Sequence, residues 1–376
     1  MRNRRIVLYI LAVLAIALLT GCAADPAAAS PSPAPEETPA ADPEATPAPT
    51  PVPEEISITD MVGREVVVPT TVEHVFGANT NSTVMLYTLV PSKMIAWNIK
   101  PDEAAMGYME PDRASLPVLG SLYGSGKQSN IEEVLTYPLD LVVLCDTKAK
   151  QKVIDAADSI EERLGIPVIV VKADMGNYDE AYAFLGPILG AAEKAEELGA
   201  YCRETVAYAD QKKALLSEED KVRVYYARMD DGLTTEFQGS PNAQVLALAG
   251  GVNVAEGDTP SGEVTLEQVV AWNPETIIVG HIGASKVAAY ETIMNGELWA
   301  ETDAVKDGAV YSVPRLPFNW FDRPPSVNRV IGVKWLGHLL YPDVFDCDMT
   351  AEVKDFFSLF YHYELSDEEA AALLGN

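Results

Sequence analysis

The chain has 376 residues, with 56 Asp and Glu against 27 Lys and Arg and a formal net charge of −29. That balance argues against a nucleic-acid partner, because binding to a phosphate backbone rests on Lys and Arg contacts. It permits a cationic ligand or a basic partner surface, although solubility alone is also a sufficient reason for it.

Arg2, Arg4 and Arg5 precede an apolar run at 6–19, which leads into Leu19-Thr20-Gly21-Cys22. The run is shorter than the roughly 20 residues that span a bilayer, so residues 1–21 read as a signal peptide. Small residues directly before a cysteine resemble a bacterial lipoprotein processing site. The resemblance implies that Cys22 becomes the first mature residue and carries lipid, with more than one acyl chain for stable anchoring. An ordinary secretory signal is the plainer alternative. Residues 1–21 contain three arginines and no acid, so the chain from Cys22 onward carries −32. Residues 22–55 are mainly Ala, Pro, Glu, Thr and Ser. Such a segment buries too little surface to offset its ordering entropy and predicts a disordered, semi-extended tether.

The folded body starts near Ile56. Continuous apolar runs predict strands at 72–78, 94–97, 139–144 and 167–171, with helices at 81–89, 148–164 and 178–189 between them. The stretch 191–217 is rich in Ala, Glu and Lys, and Leu198, Cys202, Thr205 and Ala209 recur at helical spacing. It predicts a single long helix joining two halves. Beyond it, strands are expected at 222–228, 275–279 and 309–313, and helices at 240–249, 266–271, 287–295 and 327–340. Alternation of strand and helix implies an α/β fold with mostly parallel sheets. The expected organisation is an N-terminal lobe at 56–190, a spacer helix at 191–217, a C-terminal lobe at 218–345 and a helical extension at 346–376. In that extension Val353, Phe356, Phe357, Phe360 and Tyr361 suit a helix packed on the body, and Ser366 opens a last short one.

Two segments align without a gap: NIEEVLTYPLDLVVL at 130–144 and TLEQVVAWNPETIIV at 265–279. Glu132 matches Glu267 at a constant offset of 135 residues. Each copy has a capping Asn or Thr, a helical turn, a Pro and then an apolar strand. A duplicated lobe follows from this pair.

Ligands in open α/β sheets bind beyond the carboxyl ends of the strands. The residues found there are Asn79, Thr80 and Asn81, which can hold an anion on free backbone N–H groups or simply cap a helix; Asp146; Arg228; His281; and Arg315. The loop PFNWFDRPP at 317–325 adds Phe318 and Trp320 as apolar surfaces and Arg323 as an anion partner, with Asp322 available to hold Arg323. An internal strut fixing the loop is the alternative for Trp320, Asp322 and Arg323. The Gly-rich loop at 120–130 offers Tyr123 and Lys127 but lacks the phosphate-loop spacing. No catalytic set, metal motif or cofactor motif is found. After Cys22 the only cysteines are Cys145, Cys202 and Cys347, an odd number with no metal spacing. Cys145 reads as a buried strand residue.

Taken with the duplication and joining helix, the segments ITDMVGREVVVP, SPNAQVLALAGGVNVA and AVKDGAVYSVP resemble the substrate-binding lipoproteins of ABC importers. The resemblance covers about residues 56–345 and is closest to the helical-backbone class, which captures ferric siderophores, haem, cobalamin and in some members molybdate or tungstate. It implies two Rossmann-like lobes with a ligand cleft between them and a monomer lipid-anchored outside the cytoplasmic membrane. Its partners are a permease dimer with its ATPase, onto which Glu132 and Glu267 would dock. The aromatics of the 317–325 loop favour an iron–siderophore type of metal chelate; a cobamide, haem or a bare oxyanion is the alternative. A ligand sensor and a metal-centre enzyme on the same fold are the rivals from other classes, and neither Cys ligand clusters nor paired His support the enzyme.

Overall fold

A computed structural model of the chain describes residues 54–124, 126–280 and 288–375. Cys22 and His281 lie outside the described residues. An antiparallel hairpin opens the fold, β1 (Glu55–Thr59) against β2 (Glu65–Pro69). Asp60 sets its turn by accepting from the backbone N–H of Val62 and of Arg64 at 3.1 and 2.9 Å. The Arg64 guanidinium then reaches Asp158 and Glu161 at 2.8 and 2.9 Å and ties the hairpin to the body. This hairpin lies outside the strands expected from continuous apolar runs, because β1 is mostly exposed and β2 alternates exposed and buried positions, over only five residues each.

Next come β3 (Val75–Gly77), α1 (Thr80–Leu89), α2 (Glu103–Met106), α3 (Ile131–Val134), β4 (Leu141–Asp146), α4 (Gln151–Leu164), β5 (Val168–Lys172) and α5 (Tyr178–Ile188). Strands β3, β4 and β5 form a parallel sheet in that order. The apolar run of β4 is buried from Leu141 to Cys145, as a central strand covered on both faces should be. Helix α4 turns Val153, Ala157, Ile160 and Leu164 inward and stops at Gly165, whose φ of +65° is a left-handed cap. The strand expected at 94–97 is absent. Its ends make only isolated bridges, Val75 to Met94 and Trp97 to Val118.

Helix α6 (Ala192–Lys213) has 22 residues, so it is about 33 Å long at 1.5 Å per residue. Ala195, Leu198, Cys202, Thr205 and Ala209 form its buried stripe. After it come β6 (Arg223–Ala227), β7 (Thr234–Glu236), α7 (Gln244–Leu248), β8 (Val252–Asn253), β9 (Ser261–Glu263), α8 (Leu266–Trp272), β10 (Thr276–Val279), α9 (Ala288–Asn295), α10 (Asp303–Lys306), β11 (Val310–Ser312) and α11 (Arg329–Leu340). A second parallel sheet runs β11-β10-β6-β8, and β7 pairs with β9 antiparallel. Strands β6, β10 and β11 repeat the order of β3, β4 and β5. The aligned segments supply the equivalent strands β4 and β10, each preceded by a capped helix. The Asn130 side chain accepts from Glu132 N–H, and Thr265 forms a full capping box with Gln268.

The chain ends with α12 (Met349–Phe356), a π-helical turn at Phe357–Tyr361 and α13 (Asp367–Leu374), which opens on a Ser366–Glu369 capping box. Phe356, Phe357, Phe360 and Tyr361 are fully buried and join a core that takes residues from both halves, including Tyr87, Leu198, Tyr226 and Trp335. The described residues from 54 onward accordingly form one compact unit, and the two sheets share a core. Among the described residues no helix is long and apolar enough to cross a membrane, and Cys145, Cys202 and Cys347 are free thiols.

Candidate functional site

A cleft of about 630 Å³ opens between the halves. One wall comes from the start of α1, the loop 99–102 and Ala105 of α2; the other comes from Asn242 and the loop 315–325. The first wall is built by capping. Asn79 is extended, accepts from Ser82 N–H and Ser82 Oγ at 3.0 and 2.9 Å, and donates to the Cys145 carbonyl at 2.9 Å. Thr80 and Asn81 follow in the first helical turn, line the cleft, and carry N–H groups with no acceptor inside the helix. Lys100 projects from the neighbouring loop as an exposed side chain.

Arg315 and Arg323 bring two more cations from the second wall. Arg315 Nη1 meets Asp102 Oδ2 at 3.1 Å, an ion pair joining the two halves across the cleft. Asp102 Oδ1 meanwhile caps α2 by accepting from Ala105 N–H at 2.8 Å. Among the described residues neither Lys100 nor Arg323 has an ion-pair partner, and both are exposed. The lining thus carries three cations against the carboxylates of Asp102 and Asp322, a positive balance in an acidic protein that favours anions.

Adjoining this surface is a buried charge cluster, whose Asp322 reaches the cleft lining. Arg228 pairs with Glu236 and places its Nε 3.2 Å from Asp322 Oδ2. Glu236 is fully used, accepting from Ser240 Oγ at 2.5 Å and from Asn242 Nδ2 at 3.2 Å. Asp322 is not: its oxygens lie beside Arg228 and the Tyr226 hydroxyl without a well-formed hydrogen bond. Burial raises the Asp322 carboxyl above its ordinary range, with Arg228 opposing the shift. Burial also pushes the Tyr226 hydroxyl well up, and the Asp322 charge adds to it.

Of the residues expected at the site, Thr80, Asn81, Arg315, Phe318 and Arg323 line the cleft, whereas the other described ones stand elsewhere. Trp320 is a correction: it is 0% exposed, and its indole N–H donates to the Leu316 carbonyl at 3.1 Å, so it braces the loop from inside. Arg228 is sealed below by its two carboxylates. Asp322 faces Arg228, not Arg323 as expected. Asn79 is consumed by capping, and Asp146 is spent on a turn, accepting from Lys148 and Ala149 N–H at 2.9 and 2.8 Å. Tyr123 and Lys127 are outside the cleft lining. Phe318 is half-buried; its carbonyl accepts from Asn328 Nδ2 at 2.9 Å, and Asn328 Oδ1 accepts from the Tyr361 hydroxyl at 2.5 Å. Lys100, Asp102, Asn242 and Asn319 were missed. Lys100 and Asp102 directly follow the strand expected at 94–97, so the strand-end rule applied there would have found them. Glu132 and Glu267 occupy the first turns of α3 and α8, both exposed.

Residues 110–316, more than half of the chain, match the periplasmic binding protein family. The chain belongs to that family. Members of this family are extracytoplasmic transport components, not enzymes. The molybdate-binding protein MolA of Haemophilus influenzae is 26% identical over 344 residues, which cover 84% of this chain and 93% of MolA. An ABC transporter solute binding protein from Sulfurospirillum deleyianum superposes with a TM-score of 0.77 at 28% identity, over 85% of this chain and 99% of that one. A periplasmic solute binding protein from Veillonella parvula does so with a TM-score of 0.71 at 26% identity, over 85% and 97%. As a periplasmic binding protein the chain places its cleft at the junction of the two sheets, where Arg315 follows β11 and Thr80 follows β3.

Proposed function

We propose that this periplasmic binding protein captures an anion of the molybdate or tungstate class and delivers it to the permease of an ABC importer. The observation that carries the proposal is the set of three cations, Lys100, Arg315 and Arg323, beside the open first-turn N–H groups of α1. Side-chain charge and backbone donors together make an anion site. The molybdate-binding relative supports the same ligand class. Burial of Trp320 removes the larger aromatic from the ligand face and leaves Phe318 alone, which weakens the case for a flat organic ligand. A ferric siderophore or another anionic metal chelate is the second reading, favoured by a cleft of about 630 Å³, which exceeds what a bare oxyanion fills.

The protein would be held outside the membrane by lipid on Cys22 and by the tether 22–55. It would dock on the two-fold permease through Glu132 and Glu267, one from each copy of the repeat. Calorimetric titration of residues 50–376 with molybdate, tungstate, sulfate and ferric siderophores separates the readings. Binding of molybdate or tungstate, weakened about tenfold or more in Arg323→Gln by loss of a charge-assisted contact, is the expected result. Binding of the iron chelates alone would overturn the oxyanion assignment in favour of the second reading.

A further inference from the structure

The ion pair between Asp102 and Arg315 joins residues 213 apart in sequence, and both partners line the cleft. We propose that Asp102 is an internal competitor of the ligand: its carboxylate holds the Arg315 guanidinium until an anion enters and takes its place. The inference rests on the anion reading given above and adds a residue that sets affinity at that site.

The geometry of the pair suits exchange. Only one oxygen of Asp102 engages Arg315, because the other is committed to the Ala105 N–H at the start of α2. The contact is therefore single-point and lacks the bidentate fork that makes Arg–carboxylate pairs strong. Both side chains remain partly open to water, at 26% for Arg315 and 44% for Asp102, and exposed pairs of this kind are weakly held. An entering anion meets Arg315 together with Lys100 and Arg323, so three cations can serve it at once. Displacement replaces one tie between the halves by another that passes through the ligand.

The test is a double-mutant cycle read by titration with molybdate at low salt. Asp102→Asn removes the charge and keeps the cap, since Asn and Asp serve equally at a helix N-cap. Asp102→Ser is a second variant that also retains a capping oxygen. Both should bind molybdate about two- to fivefold more tightly than the parent, the factor expected from freeing one exposed ion pair. The gain should vanish in the Arg315→Gln background, where there is no guanidinium to release. If the parent binds molybdate and both Asp102 variants bind it equally or more weakly, the competitor role is overturned while the anion reading stands. An undiminished gain in the Arg315→Gln background would also overturn it, because Asp102 would then act without Arg315. Absence of molybdate binding by the parent and by both variants would overturn the anion reading and this inference together.

Discussion

Gly332 lies on the face of α11 that carries the cleft loop, and replacing it by Ala tests how that loop is held. A methyl group there would stand 2.2 Å from the Trp320 carbonyl oxygen and 3.2 Å from its carbon. The obstacle is backbone, which cannot rotate away as a side-chain tip can, so helix and loop must part by about 1 Å to restore ordinary contact. Two effects oppose each other. Ala is favoured over Gly in a helix interior by about 1 kcal/mol. Overpacking a close-packed contact costs about 1–3 kcal/mol, and a backbone clash belongs at the upper end. The clash wins, with a net loss of about 1–2 kcal/mol and a fall in Tm of about 2–6 °C. Because the displaced segment carries Arg315, Phe318 and Arg323, anion affinity should fall in parallel. Scanning calorimetry and molybdate titration of Gly332→Ala measure both effects. A parent-like Tm together with parent-like affinity would refute the idea that this glycine sets the loop; lower Tm with unchanged affinity would show that loop position does not govern binding.

The Glu132→Arg and Glu267→Arg double variant should abolish uptake in cells while the purified protein binds ligand as before; unimpaired uptake would end the docking proposal. Asp322→Asn should change the pH dependence of stability. Burial raises the folded-state pKa of Asp322 above its unfolded value, so its contribution is fully present below the unfolded value and is lost as pH rises through the raised one. The stability of the parent relative to Asp322→Asn, from urea denaturation, should therefore fall as pH rises from the acid side toward neutrality. A difference that stays flat or grows with pH would contradict a carboxyl raised by burial.

Much of the fold was legible because a continuous apolar run has few physical solutions. The segment LVVLC of β4 can bury both of its faces only inside a sheet covered by helices, and its counterpart in β10 repeats the pattern. Alanine-rich helical periodicity marked α6, and capping chemistry marked α3, α8 and α13. The short antiparallel pairs left no such trace. Residues of β7 and β9 are strands only because each finds its partner more than twenty positions away, and no local pattern encodes a partner at that distance.

The loop at 317–325 shows where local chemistry stops. Its composition marked it as special, and the strand-end rule put it at the cleft, but neither settled which side chains face the ligand. Trp320 turned inward because Gly332 lets the loop backbone lie against α11 and the core accepts the indole there. Arg228 sits at a strand end as a ligand residue would, yet Glu236 from β7 and Asp322 from the loop enclose it, because a buried guanidinium needs acidic partners. Arg323 stayed outside, exposed at the cleft. The sequence alone therefore determined most helices and parallel strands, their duplication and the neighbourhood of the site. Tertiary structure decided which charges face the cleft and which neutralise one another beneath it, since that choice depends on contacts between residues far apart in the chain.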